Sequence, residues 1–376
     1  MTQNQFQRLL CVALLALASL LTACGGASST VNPLRPDRVI AFGDGFNAVD
    51  SDGFGVTTVR GVVGTDFPDD TIAGRMAYLR YGITLWDVPA AQRTSSLDAS
   101  KKGFSYAQGL ARIQDSATPV GVDSVEKQID KYLTANRPGE KDLFIITAGS
   151  LDIYDASINN TSLASPVTAL VNAIKRLTDS GAKYVLIVYP PNMARTPWGI
   201  RKASAARLAV QDLSYDTGTS CTSFSCRTTI ALNLEYPATS AHQPILLADL
   251  MGYSNLITGT AGTSAVTYRT ISETTTGTGT QNTFVSYAVA NPDLPACFNV
   301  VTNQAASFTP PAATLTCDYR VTDNNNGVNT GTNGWTSATW NYTNSVFADN
   351  FYFTPFANRL YADYIYNVTM LRAGWR

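Results

Sequence analysis

The sequence predicts an α/β protein on a parallel sheet: three layers, α/β/α, doubly wound, with five strands. Three observations predict it. Short apolar, β-prone runs recur at 38–42, 103–107, 143–148, 184–189 and 244–249; such unbroken runs fit strands buried on both faces. Stretches of helical period lie between them. The alternation of the two argues for βαβ units, whose right-handed crossovers bring every strand's carboxyl end to one side.

The chain opens with a segment that reads as a targeting signal rather than as fold. Arg8 supplies a positive start, Leu9 to Leu21 an apolar stretch, and Leu21-Thr22-Ala23-Cys24 matches the bacterial lipoprotein signal. That assigns 1–23 to a signal peptide and lipidation to Cys24. The alternative is an ordinary signal peptide cut near Ala23. A Gly/Ser-rich and then Pro-containing tether follows over 24–37, and Gly25 after the cysteine favours the outer membrane of a Gram-negative envelope. The apolar stretch is too short to span a bilayer.

The remaining chain, 38–376, reads as one domain. Strand one, Arg38 to Phe42, ends in Gly43-Asp44-Gly45, and the carboxyl end of such a strand is where an α/β protein places its site. Residues 51–70 are Gly- and Asp-rich and read as a loop. Helical spacing over Ile72 to Leu79 ends near Gly82, and Val125, Ile129, Tyr132 and Leu133 mark a second helix. A long amphipathic helix covers about Ser165 to Ser180, with Gly181 as its stop. Another helix starts near Ile200 and is interrupted at 215–226. Residues 259–345, rich in Thr, Gly and Asn, break the rhythm and read as a long insertion with some β structure. A helix from about Thr354 to Leu371 closes the chain.

Composition narrows the function classes. With 27 basic and 28 acidic residues the formal net charge is -1, which gives no electrostatic case for nucleic acid. Of six cysteines, Cys11 leaves with the signal and Cys24 takes the lipid. The other four suggest disulfides in an oxidising compartment, and proximity favours Cys221–Cys226 and Cys297–Cys317. Chain entropy is worth about 2 kcal/mol for the shorter loop and about 3 for the longer. No histidine or Cys-x-x-Cys pair lies near them, so neither a metal nor another cofactor is expected.

The string Ala41-Phe42-Gly43-Asp44-Gly45-Phe46 resembles the opening block of the SGNH (GDSL) hydrolases, Gly-Asp-Ser-Leu. The order of elements from Arg38 to Tyr366, residues 181–197 and Pro295-Ala296-Cys297 resemble that family too, in its secreted bacterial esterases with one long insertion. The resemblance implies a flavodoxin-like fold and ester hydrolysis by a serine, a histidine base and oxyanion donors from a Gly amide and an Asn side chain. Carried over block by block, all four roles are altered. The nucleophile position is Gly45. The second block falls on Ser105 to Ala111 and puts Leu110 at the oxyanion glycine, or Gly109 after a one-residue shift. The third block, Gly149-Ser150-Leu151-Asp152, has Leu151 for the asparagine. The last block, Asp349 to Thr354, keeps Asp349 but has Tyr352 for the histidine. Asp44, Gly149 and Asp152 persist, with roles in turn geometry and backbone hydrogen bonds.

The chain holds one histidine, His242. It precedes strand five, at the amino end of the sheet, and reads as a solvated or capping residue. Ser51, Ser105 and Ser150 then read as loop hydroxyls, since loss of nucleophile or base costs a serine hydrolase about six orders of magnitude. The expectation is a pseudoenzyme: an envelope lipoprotein, held to the membrane by its lipid, that binds a glycan, an acyl chain or a protein, or is purely structural. Trp335, Trp340, Tyr342, Phe347, Phe351, Tyr352 and Phe356 are either an aromatic platform for such a ligand or core. The alternative is an active ester hydrolase using other residues.

Overall fold

The computed structural model describes residues 34–49, 71–200, 202–216, 221–237, 244–258, 346–347 and 351–375, with the backbone of four strands between 266 and 305. The signal segment, Cys24, Ser51, His242, Cys297, Cys317, Trp335, Trp340, Tyr342 and Asp349 lie outside the described residues.

The sheet has six strands, all parallel: β1 Val39–Gly43, β2 Trp86–Asp87, β3 Gly103–Ser105, β4 Leu143–Thr147, β5 Tyr184–Val188 and β6 Ile245–Ala248. Their order is β2-β3-β1-β4-β5-β6. Five of these are the five apolar runs. The sixth, β2, is a two-residue edge that meets β3 only at Trp86↔Phe104 and Asp87↔Ser105, too short to show a period. β1 and β4 are buried at every position. The order reverses at β1, with β3 and β2 on one side and β4 to β6 on the other. Such a reversal opens a crevice at the carboxyl ends of the strands.

Nine α-helices are described. α1 (Ile72–Tyr81) begins on Thr71, whose hydroxyl accepts the Gly74 amide, and ends on left-handed Gly82. α2 is Val125–Ala135, α3 Ser150–Asn159 and α4 Ala164–Asp179. α5 (Pro197–Ile200) and α6 (Ser204–Ser214) lead to α7 (Phe224–Glu235), then α8 (Met251–Thr258). α9 (Pro355–Tyr364) runs on as a π-helical turn, Ile365–Met370. α4 packs against α2 and α7, and α1 packs against α9. None of these helices is long and apolar enough to cross a membrane. The core beneath β1 is aromatic: Phe42 packs on Tyr106, Tyr132 and Phe144 with ring centroids 5.5 to 6.3 Å apart.

Within 259–345 the described strands stand apart from this sheet. β7 (Val266–Thr276) and β8 (Gly279–Val289) form an antiparallel hairpin, and β9 (Phe298–Asn299) pairs with β10 (Gln304–Ala305).

Candidate functional site

The site is built where β1 and β4 end. At Gly43, with φ +134°, an added Cβ would lie 2.0 Å from the Thr147 carbonyl oxygen, so only glycine lets the two strands meet there. Gln128 of α2 grips this residue from both sides: its carbonyl accepts the Gly43 amide at 2.8 Å and its amide donates to the Gly43 carbonyl at 3.0 Å. The turn that follows is tied by Asp44. Its backbone carbonyl accepts the Asn47 and Ala48 amides, and its side chain accepts the Phe46 amide at 3.1 Å and the Thr147 hydroxyl at 3.3 Å. Burial pushes the Asp44 carboxyl up to about 6, against the Phe46 amide and the Ser150 and Thr147 hydroxyls, which favour its charge.

Gly45 has no room for a side chain. A Cβ there would fall 2.3 Å from Cζ of Tyr352 and 2.6 Å from its hydroxyl oxygen. Tyr352 is buried and stands edge-on to Phe46 at 5.1 Å. It is held by its neighbours in the chain, where Phe347 pairs with Phe353 and the Thr354 amide donates to the Val346 carbonyl. The Thr354 hydroxyl then caps α9.

Leu110 carries a strained backbone. Its φ of +69° is left-handed, a conformation in which a leucine costs about 1–2 kcal/mol relative to glycine. Gly109 is not among the left-handed glycines. Thus the residue here whose backbone favours glycine is Leu110 and not Gly109. Its carbonyl accepts from Arg112, which in turn forks onto Asp155 with hydrogen bonds of 2.8 and 3.1 Å.

The third block opens α3. Gly149 is its left-handed N-cap (φ +104°), and a Cβ there would strike the Phe224 ring at 2.5 Å. Leu151 is buried where a side-chain donor was expected from the family. Asp152 is buried and accepts the Ile113 amide at 3.3 Å. Burial pushes its carboxyl up to about 7; the Asp155 and Asp44 charges add to this, and the Ile113 amide and Arg112 oppose it. Asp152 and Asp155, three apart, share one helix face and clamp the loop 110–113 to α3.

Two of the three serines are placed. Ser105 is buried and donates to the Asn47 carbonyl at 2.8 Å, which fixes the turn after β1. Ser150 is buried beside Asp44. Phe347, Phe351, Tyr352 and Phe356 of the expected aromatic platform are all buried, so these four belong to the core. A half-buried aromatic group adjoins this core. Half-buried Trp198 packs on Tyr154 and Phe351 with centroids 5.0 and 5.2 Å away, and Lys202 sits over its ring at 4.4 Å. Trp198, Phe224 and the Arg112–Asp155 pair were not singled out from sequence; the (i, i+3) aspartates of α3 were the available signal.

No family model matches this chain, and no curated protein matches it.

Proposed function

We propose that this chain is a non-catalytic protein on the SGNH-type three-layer fold, anchored in the cell envelope through Cys24, that acts by binding or as a structural element. The observation that carries the reading is Tyr352 seated in the space a Gly45 side chain would need. A side chain at 45 and the Tyr352 ring in its present place compete for one space, so two of the four positions marked by the resemblance are linked. Leu151 and strained Leu110 extend the change to the oxyanion side. The ligand classes in keeping with the half-buried Trp198 and the Lys202 above it are a glycan, an acyl chain or a protein segment. The hydrolase alternative would rest on Ser150 next to Asp44, but that serine is 2% exposed and its hydroxyl is spent on the aspartate.

The test is turnover of short-chain nitrophenyl esters by the purified protein. Wild type stays at background. Gly45→Ser alone stays there too, because it collides with Tyr352 and has no base; a tyrosine of pKa about 10 is protonated at neutral pH. Gly45→Ser/Tyr352→His rises barely above it, and adding Leu151→Asn gains about a further hundredfold by restoring one oxyanion donor. Wild-type turnover that survives Ser150→Ala and His242→Ala overturns the reading. The anchor is tested separately: mass spectrometry of the native protein should find a lipidated Cys24, and an unmodified terminus after Ala23 refutes it.

A further inference from the structure

Between α6 and α7 the chain makes a short loop closed by the Cys221–Cys226 disulfide. The carboxylate of Asp216 approaches the same two sulfurs: one oxygen of Asp216, Sγ of Cys221 and Sγ of Cys226 all lie within 4.8 Å of one another. All three residues are half-buried.

Asp216 is already fixed in place. One of its oxygens accepts the Thr222 amide at 3.0 Å, the Thr222 hydroxyl at 3.3 Å and the Ser223 amide at 3.2 Å; the other accepts the Ser223 hydroxyl at 3.1 Å. Such bonds orient a carboxylate as the outer shell of a metal site does. Cys226 is fixed as well, in the first turn of α7, with its amide donated to Ser223 Oγ at 3.2 Å. Cys221 precedes the cap residue Ser223 and, once reduced, is tied to α7 only through the backbone. In a tetrahedral zinc site two thiolates stand about 3.8 Å apart, and a carboxylate oxygen about 3.5 Å from each. In the disulfide the two sulfurs are 2.00 Å apart, so reduction must let them part by about 1.8 Å to reach that spacing, while the carboxylate oxygen already lies within 4.8 Å of each.

We propose that this loop is a dual-state site: a disulfide when oxidised, and a three-ligand site for a thiophilic divalent cation of the Zn²⁺ type when reduced. A dithiol reductant supplies two electrons and two protons to the Cys221–Cys226 bond and leaves as its own disulfide. The cation then binds both sulfurs and Asp216, displacing the two thiol protons, and water completes the tetrahedron. The assignment is independent of whether the chain hydrolyses esters.

The site also has a mechanical connection. Phe224 lies between the two cysteines, is fully buried, and its ring fills the space above Gly149, the N-cap of α3. The state of the loop therefore bears on the residue that seats α3 in the candidate site.

The experiment uses the full chain, reduced with a phosphine, freed of reductant without air, and titrated with Co²⁺ as a spectroscopic probe and then Zn²⁺. One equivalent of Co²⁺ should bind with a thiolate-to-cobalt charge-transfer band, and Zn²⁺ should displace it. Because Cys297 and Cys317 also offer thiols under reduction, the deciding comparison is Cys221→Ser/Cys226→Ser, which should lose that equivalent while Cys297→Ser/Cys317→Ser keeps it. Asp216→Asn should weaken binding at least tenfold. Reduced wild type binding no more Co²⁺ than Cys221→Ser/Cys226→Ser overturns the site, and unchanged affinity in Asp216→Asn overturns the three-ligand assignment.

Discussion

Replacing Asp152 by asparagine should stabilise the protein, and by an amount that depends on pH. The carboxyl stands at about 7 in the fold against an ordinary 3.8, chiefly because burial penalises its charge. A folded-state value above the unfolded one means that the fold holds the proton more tightly. The associated stability is complete below about pH 4 and is lost as the pH rises through 7. The gap is about three units, each worth about 1.4 kcal/mol, so the ionised group costs about 4 kcal/mol at pH 8. Asparagine keeps an acceptor for the Ile113 amide and removes the charge. The stability difference between Asp152→Asn and wild type should therefore climb by about 1.4 kcal/mol per pH unit between pH 4 and 7 and then level off. Near pH 8 the melting temperature should rise on the order of 5 °C. Urea unfolding from pH 4 to 8.5 at constant ionic strength measures it, and taking the difference cancels the other carboxylates. A difference that does not vary with pH would show Asp152 ionised throughout, and the burial argument would fall.

Other expectations follow from the same geometry. Gly45→Ala should cost about 1–3 kcal/mol by overpacking in wild type and much less with Tyr352→Ala already present; additive costs in that double-mutant cycle would mean the two positions do not compete. Leu110→Gly should raise stability by about 1 kcal/mol by relieving the left-handed backbone, and a loss on chemical denaturation would refute the strain. Thiol labelling of unreduced, denatured protein should find Cys221 and Cys226 blocked, and Cys297 and Cys317 blocked if they pair; label at either of a pair removes that bridge.

How much of this was legible in the sequence depends on the range of the interaction concerned. β1, β4 and β5 announce themselves because strands covered on both faces need no polar alternation, and the helix stops at Gly82 and Gly181 because a left-handed residue there asks for glycine. β2 was missed because two residues carry no period. α3 was missed because its first turn, Ser150-Leu151-Asp152, was read as a motif rather than as the start of a helix capped by Gly149. The close approaches that shape the site were the least legible. Gly149 and Phe224 are far apart in the chain, and so are Gly45 and Tyr352. A glycine announces that something comes near without saying what.

The same limit explains why Gly45 and Tyr352 are informative together when each is weak alone. A glycine at 45 is unremarkable in a turn, and a tyrosine at 352 is unremarkable before a helix. The 2.3 Å between the missing Cβ and the Tyr352 ring turns the two into one constraint: a side chain cannot return at 45 while the ring stays. Asp44 and Asp152 are buried parts of the same scaffold. Asp44 ties β1 to β4 through Thr147 and shapes the turn through the Phe46 amide; Asp152 holds the Ile113 amide to α3. Both hold the backbone in place whatever the chain does, and Asp152 does so at a cost in stability that grows with pH.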